Sequence, residues 1–273
     1  MGSKENMKNV TKKRPVIPND MVSIIMPSFN TASYIAQSIR SVQRQTYPEW
    51  ELIIVDDCST DNTDEIVFRF LDDKRIHYIK NEKNQGAALS RNRALREAQG
   101  RWVAFLDSDD IWGKRKLEEQ LKFMRENNYH FSYTKYEEMD EKSRKTGIMV
   151  SGPGRITKKK MYDYCWPGCL TVMYDREIVG NLQIADIKKN NDYAIWLKAV
   201  EKADCFFLNK CLALYRRGRK GSISTQGYTT LLKWHYRLFR GNGNSPLFSA
   251  FCTMRNIVFG MFKRVIYTKK TIK

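Results

Sequence analysis

The sequence predicts an α/β protein with a mostly parallel central sheet flanked by helices, and a helical, basic C-terminal extension. Three observations carry this. Between residues 22 and 112, apolar runs of strand length alternate four times with amphipathic stretches of helix length. The strand-like runs are almost uninterrupted by polar residues, as in strands covered on both faces, and the links are short. The last quarter differs in kind: residues 205–273 hold 14 lysines and arginines and not one acidic residue.

Taken in order, residues 1–20 are basic, polar and punctuated by proline, and read as a tail; they lack the apolar stretch of a secretory leader. VSIIMPSF (22–29) is a buried strand. In NTASYIAQSIRSVQRQT, Ile35, Ile39 and Val42 share one helical face, with Asn30 or Thr31 near the cap. WELIIVDD (50–57) is a second strand, and STDNTDEIVFRFL restarts a helix with Ser59 or Thr60 available as cap. IHYIKNE (76–82) is a third strand, NQGAALSRNRALREAQG (84–100) a helix ending at Gly100, and RWVAFLDSDD a fourth strand. Beyond residue 112 the pattern loosens. Leu117, Leu121 and Met124 suggest a helix, 130–140 a strand, SGPGRITKKKMYDY a loop, and 169–179 contains a further strand. Residues 190–203 are helical, with Tyr193, Trp196, Leu197 and Val200 on one stripe.

Composition bounds the function. The 273 residues suffice for one large α/β domain or one domain with an appendage, and 42% hydrophobic residues for a packed core. No run of 18 uncharged apolar residues suggests a spanning helix. The six cysteines show no paired metal spacing, which favours reduced thiols in a cytoplasm over a zinc site. A net charge of +18 calls for an anionic partner: phosphates, a nucleic acid or an acidic membrane surface.

In an open parallel sheet, ligands bind outside the carboxyl ends of the strands. Here three strands run into PSFN, DDCSTD and DSDD, so these segments face one crevice. The third holds Asp107, Asp109 and Asp110 within four positions. Like charges this close need a counter-charge. A divalent cation supplies one, because an Asp-x-Asp pair offers one or two oxygens and leaves the remaining positions to water or phosphate. For a lone Asp-x-Asp, capping of the next helix or solvation of a turn would be the better account.

The set MPSFN, IIVDDCSTDNT, NQGAALSRNRAL, FLDSDDIW and NDYAIWLKA, in this order, closely resembles the family 2 inverting glycosyltransferases of the GT-A (Rossmann-like) fold, over about residues 21–205 and most strongly 22–112. The resemblance implies a nucleotide-sugar-binding half (21–112), an acceptor and catalytic half of the same domain (113–205), and a basic membrane-associating region (206–273). It implies that Pro27, Ser28 and Phe29 line the nucleotide base, that Asp57 accepts the uracil N–H or caps a helix, and that Lys83, Asn84, Gly86 and Arg91 border the base, ribose and phosphates. Asp107, with Ser108 beside it, contacts the ribose or sugar, and Asp109 ligates Mn²⁺ or Mg²⁺. Asp192 is the general base; the family's preceding acid is Asn191 here. Arg217, Arg219 or Lys220 closes over the diphosphate, or they are solvated loop charges. Trp166 stacks on an acceptor sugar or belongs to the core.

The activity implied is metal-dependent transfer from a UDP-sugar to a lipid-linked saccharide of a bacterial capsule, O-antigen or exopolysaccharide, peripherally at the cytoplasmic face of the inner membrane. Residues 247–267, read as a helix, put Leu247, Phe251, Met254, Val258, Met261 and Val265 on one stripe, widened by Phe248, Phe259, Phe262 and Ile266, and Ser249, Thr253, Asn256, Lys263 and Arg264 opposite. This suits a helix lying in an anionic membrane interface, or one packed on the catalytic domain. A non-catalytic sugar-nucleotide binder on the same fold stays open. So does a nucleic-acid-binding protein, although no nucleic-acid-binding signature accompanies the charge.

Overall fold

A computed structural model describes residues 20–184, 187, 189–218 and 228–270. The chain opens with β1 (Val22–Ser28), α1 (Ile35–Gln43), β2 (Trp50–Asp56), α2 (Thr63–Phe68), β3 (Ile76–Lys80), α3 (Ala87–Glu97) and β4 (Trp102–Phe105). β1 pairs in parallel with β2 and β4, and β2 with β3, so the carboxyl ends of these four strands share one edge. β1 and β2 are buried at every position, which is why their sequences lack alternation.

The second half continues with β5 (Ile111–Trp112), α4 (Lys116–Glu126), β6 (Phe131–Met139), β7 (Lys145–Val150), β8 (Arg155–Ile156), α5 (Lys158–Asp163), β9 (Met173–Asp175), α6 (Arg176–Val179), α7 (Asn191–Ala199) and β10 (Cys205–Arg216). The main path of the sheet runs β11-β7-β6-β9-β4-β1-β2-β3, where β11 (Thr268–Lys270) is the last strand among the described residues. Beyond β4 most pairings turn antiparallel, beginning with β9 beside β4, while β10 runs parallel to β6.

Several local expectations differ. Ser59 and Thr60 do not cap α2: the cap position is Asn62, the residue before it, Asp61, accepts from Thr63 N through Oδ1 at 3.2 Å, and Ser59 Oγ accepts from Asn30 N. The segment expected to be a loop at 151–164 forms β8 and α5, because Thr157 accepts from Lys160 N and Met161 is buried. The boundary drawn at 205/206 falls inside β10.

The C-terminal part packs on this body. Helices α8 (Tyr228–Gly241) and α9 (Pro246–Phe262) are followed by a π-helical turn, Lys263–Tyr267, and β11 then pairs antiparallel with β7. α9 is inside-out by the usual rule. Ser249, Cys252, Thr253 and Asn256 face the body, and Asn256 Nδ2 donates to the Tyr193 hydroxyl at 3.1 Å. The apolar stripe faces outward: Leu247 is 86% exposed, Met254 61%, Met261 59% and Val265 81%. No helix among the described residues is long and apolar enough to cross a membrane.

Gly100 sets the approach of β4 to β1. A Cβ there would press on the Met21 carbonyl oxygen and lie 2.8 Å from Ser23 N, both rigid backbone. Gly100→Ala is therefore expected to lower unfolding free energy by about 1–3 kcal/mol, the usual cost of overpacking, measured by urea denaturation.

Candidate active site

The loops leaving the four parallel strands are tied together before any ligand is considered. Asn30, at φ 50°, accepts through Oδ1 from Thr60 N at 2.8 Å, and Asp57 N donates to Ser28 O at 2.8 Å. These bonds join the loops after β1 and β2. The Asp57 carboxylate, 3% exposed, joins the loops after β2 and β3. Its Oδ1 accepts from Asn81 Nδ2 and Gln85 N, both at 2.9 Å, and its Oδ2 from Gly86 N at 2.7 Å. The two successive N–H groups turn toward Asp57 where Gly86 takes φ 90°, a conformation that favours glycine. Asp57 thus holds the turn ahead of α3 rather than capping α2. Around this frame Pro27 and Ser28 are buried, Phe29 is 42% exposed, and Lys83 and Asn84 are exposed.

Arg91 lies in α3 with 6% exposure. Its guanidinium donates to Asp107 Oδ1 through one terminal nitrogen and to Asn191 Oδ1 through the other. The end of β4 and the head of α7 are therefore held by one planar cation, a geometry that arginine alone provides. Asn191 receives one of these bonds, so an amide at this position serves where the related pattern has an acid. Both terminal nitrogens of the guanidinium are engaged inside the protein, so Arg91 organises the crevice, while its buried Nε has no hydrogen-bond partner.

The acidic turn has protein counter-charges. Besides Arg91 on Asp107, Arg216 Nε donates to Asp109 O at 2.7 Å and Arg216 N to Asp110 Oδ1 at 2.8 Å. Arg216 also reaches Asp140 O, Glu141 O, Ser143 Oγ and Gln37 Oε1, and covers the Tyr34 ring at 4.5 Å. Ser38 Oγ bonds to both the Ser108 and Asp110 carbonyls, and Ser108 is buried. Asp110 is buried too. Desolvation, then the Asp109 and Asp107 charges, push its carboxyl well above the usual range against the pull of Arg216. The cluster is thus tolerated in part because one of its three acids is driven toward the neutral form.

No group of three or more His, Cys, Asp or Glu side chains among the described residues is arranged to hold a metal ion. Asp107 and Asp109 are half-buried and offer hard carboxylate oxygens, and buried Asp110 Oδ2 accepts no hydrogen bond. One or two such oxygens suit Mg²⁺ or Mn²⁺ when phosphate and water complete the shell.

Asp192 stands in the first turn of α7, behind Asn190 at φ 57°. Trp196, one turn on and so on the same face, packs edge-on against Phe105 with ring centres 5.1 Å apart. This contact sets α7 against β4, two residues ahead of Asp107. Asp192 Oδ1 accepts from Tyr193 N at 2.8 Å. Burial raises its carboxyl above the usual range, Arg91 and the Tyr193 N–H oppose the rise, and Asp107 adds to it. Asp192 is therefore a more basic group than a solvated aspartate.

Two other expected residues stand apart from the crevice frame. Trp166 is 6% exposed, donates from Nε1 to Lys160 O at 2.9 Å, and is edged by Tyr164, Phe259 and Tyr267. Its ring is packed between the body and the C-terminal part instead of being presented for stacking. Arg217 pairs with Glu138 at 2.9 Å. Arg219 and Lys220 lie outside the described residues.

The sequence reading missed Arg216, which sits beside Arg217 on a strand. Only the pleat, which sends neighbours to opposite faces, separates the buried one from the exposed one. It also missed that Lys263 of the C-terminal part comes within electrostatic reach of Asp192.

Residues 23–177 match the model of glycosyl transferase family 2. The chain belongs to that family. Among curated family 2 relatives, it is 46% identical over 198 residues to the putative teichuronic acid biosynthesis glycosyltransferase TuaG of Bacillus subtilis, covering 72% of this chain and 79% of that one. It is 39% identical over 245 residues to an Escherichia coli enzyme, the UDP-Glc:alpha-D-GlcNAc-diphosphoundecaprenol beta-1,3-glucosyltransferase WfgD, covering 89% and 94%. Among solved structures, S. aureus TarS 1-349 in complex with UDP-GlcNAc superposes with a TM-score of 0.68 at 22% identity, over 90% of this chain and 73% of that one. The mannosyltransferase PcManGT of Pyrobaculum calidifontis, in complex with GDP-Man and Mn²⁺, gives 0.61 at 17%, over 88% and 73%. The two structural likenesses bear on the fold: this family 2 glycosyltransferase has the central sheet flanked by helices of the GT-A enzymes.

Replacing Arg91 by Met removes the cation that opposes the rise of Asp192. The Asp192 carboxyl should then titrate at higher pH than in the parent, which an NMR titration of ¹³Cγ-labelled aspartate measures directly.

Proposed function

We propose that this family 2 glycosyltransferase is a metal-dependent, inverting enzyme of bacterial surface polysaccharide assembly. It moves a hexose or N-acetylhexosamine from a UDP-sugar to a hydroxyl of a lipid-linked saccharide. The observation that carries the reading is the Arg91 bridge, which holds the acidic turn and the Asp192 helix at one crevice. The donor and acceptor classes follow the activities for which WfgD and a second Escherichia coli relative, the beta-1,3-glucosyltransferase WfaP (38% identical over 214 residues), are named, both acting from UDP-Glc on alpha-D-GlcNAc-diphosphoundecaprenol. Their beta linkage, made from an α-linked donor, fits a single displacement with inversion.

In this reading residues 21–112 hold the donor. Pro27, Ser28 and Phe29 meet the base, with the exposed Phe29 ring available to cover it. Asp57 fixes the turn at Gly86 and keeps one lone pair of Oδ2 for the base N–H. Lys83 and Asn84 border the ribose and phosphates, and Asp107 and Ser108 the ribose or sugar. Asp109 ligates Mn²⁺ or Mg²⁺, which when bound supplies positive charge to the leaving diphosphate. Residues 113–205 hold the acceptor side. Asp192 takes the proton of the acceptor hydroxyl as its oxygen bonds to the anomeric carbon. The bond from that carbon to the UDP oxygen breaks on the opposite face, with its electron pair leaving on UDP. Burial makes Asp192 a better proton acceptor than a solvated aspartate.

Calorimetric titration with UDP in Mn²⁺, then in chelator, tests the donor side. Asp109→Ala should lose the metal-dependent part of UDP binding. Asp192→Asn should bind UDP within about twofold of the parent and lose about 10²–10⁴-fold in turnover. Because Asp192 must be ionised, kcat/KM should fall with acidification at a pH above that of an ordinary aspartate. Normal turnover by Asp192→Asn would refute the base assignment.

The C-terminal part is read as docking on an anionic bilayer surface, peripheral on the cytoplasmic face of the inner membrane. α9 presents an outward apolar stripe in a quarter of the chain whose formal charges are all positive. Apolar burial and attraction to anionic headgroups act together there. Met254→Glu with Met261→Glu should weaken co-sedimentation with phosphatidylglycerol vesicles about tenfold or more. Raising salt should weaken the parent's binding as well.

A further inference from the structure

Three cations from two separate parts of the chain gather near one aromatic ring, on the α9 side of Asp192. Lys263 opens the turn after α9; its Nζ donates to Trp166 O at 2.8 Å and to Cys165 O at 3.4 Å, and lies 5.2 Å from the Tyr164 ring centre. Arg264 follows it and is exposed, and Arg217 arrives from the end of β10. The charges of both arginines are felt at the Tyr164 hydroxyl, and Lys263 is itself within reach of Asp192, Cys165 and Arg217. Arg217 is neutralised by Glu138, whereas Lys263 and Arg264 have no carboxylate ion-pair partner among the described residues. Burial pushes Lys263 down to about 8, against the pull of Asp192. An ammonium held in a cleft on two carbonyl oxygens, without a carboxylate, has donor capacity left for an anion.

The same turn ends the outward apolar face. Phe262 is 52% exposed, Val265 81% and Ile266 49%, so cations and an apolar strip adjoin within five residues. A ligand that satisfies both is amphiphilic, with its anionic group beside Asp192 and its hydrocarbon along α9.

We propose that Lys263 and Arg264, with Arg217 at the margin, form the binding site for the diphosphate of a lipid-diphosphate-linked acceptor sugar. The site rests on the acceptor class read above and adds the residues that recognise it. The lipid lies along α9, the diphosphate meets the two cations, and the sugar hydroxyl is delivered toward Asp192. The donor diphosphate belongs to the Asp109 turn, so the two diphosphates never compete for one set of charges.

The test compares two ligands bearing the same sugar, a short-chain alkyl diphosphate-GlcNAc and the uncharged alkyl GlcNAc glycoside, on the full chain. Lys263→Met, which keeps the side-chain length, should weaken binding of the diphosphate ligand about tenfold or more, the order for one charge-assisted contact. It should leave the glycoside and UDP titrations unchanged, and Lys263→Arg should restore most of the loss. Arg264→Ala, at an exposed position, should weaken the diphosphate ligand about threefold or more and serves if Lys263→Met does not fold. Inorganic pyrophosphate should compete, and short-chain phosphatidylglycerol should compete poorly. Equal losses for both acceptors, no loss for either, or equal competition by phosphatidylglycerol would overturn the proposal. Lys263-dependent binding without sugar transfer by the parent would overturn the function reading and leave this site standing.

Discussion

The Arg91 guanidinium is the element on which the crevice depends. It is desolvated, and that alone would weaken its charge. It stays charged because Asp107 lies against one edge and Asn191 accepts at the other. An isolated charge so buried would be costly, whereas one held by a carboxylate and an amide is sustained by its own geometry. The bridge joins parts of the chain 100 residues apart, so the acidic turn and the Asp192 helix cannot drift separately. Asn191 also removes one negative charge from the head of α7, close to an aspartate that burial already makes basic.

A second set of contacts transmits this order outward. Arg216 reaches the acidic turn, α1 and the hairpin between β6 and β7, so the far half of the sheet is secured to the near half at the crevice. Trp196 on Phe105 does the same from below, with apolar contact in place of hydrogen bonds. Of the five non-glycine residues at positive φ among the described residues, Asn30, Cys58 and Asn190 lie in the loops after β1 and β2 and at the head of α7, Ser143 lies in the β6–β7 hairpin that Arg216 grips, and Asn128 follows α4. Backbone outside the common regions gathers where the chain must turn sharply to serve the site.

Much of the first half was legible in the sequence. Strands buried on both faces read as solid apolar runs, and the order of the motifs around Asp57, Asp107 and Asp192 pointed to one edge of the sheet. What escaped were features fixed by tertiary contact. Nothing local distinguishes Arg216 from Arg217, or marks Arg91 as an internal clamp, since arginine in a helix is ordinarily solvated. Trp166 was open between stacking and packing, and only the arrival of Phe259 and Tyr267 from the C-terminal part decides its surroundings. The orientation of α9 was equally undecided. Its periodicity defines two faces, but which one faces the body depends on small polar groups finding partners such as the Tyr193 hydroxyl.

β11 adds three residues to the free side of β7 at the end of the sheet. An uncovered strand edge is a template for pairing with another molecule. β11 shields that part of β7 behind a shorter edge carrying Lys269 and Lys270, a form that discourages pairing between molecules. Shortening the chain to remove its apolar helix would also strip that shield. A truncated protein made for crystallisation would leave the β7 edge open to strand-to-strand association.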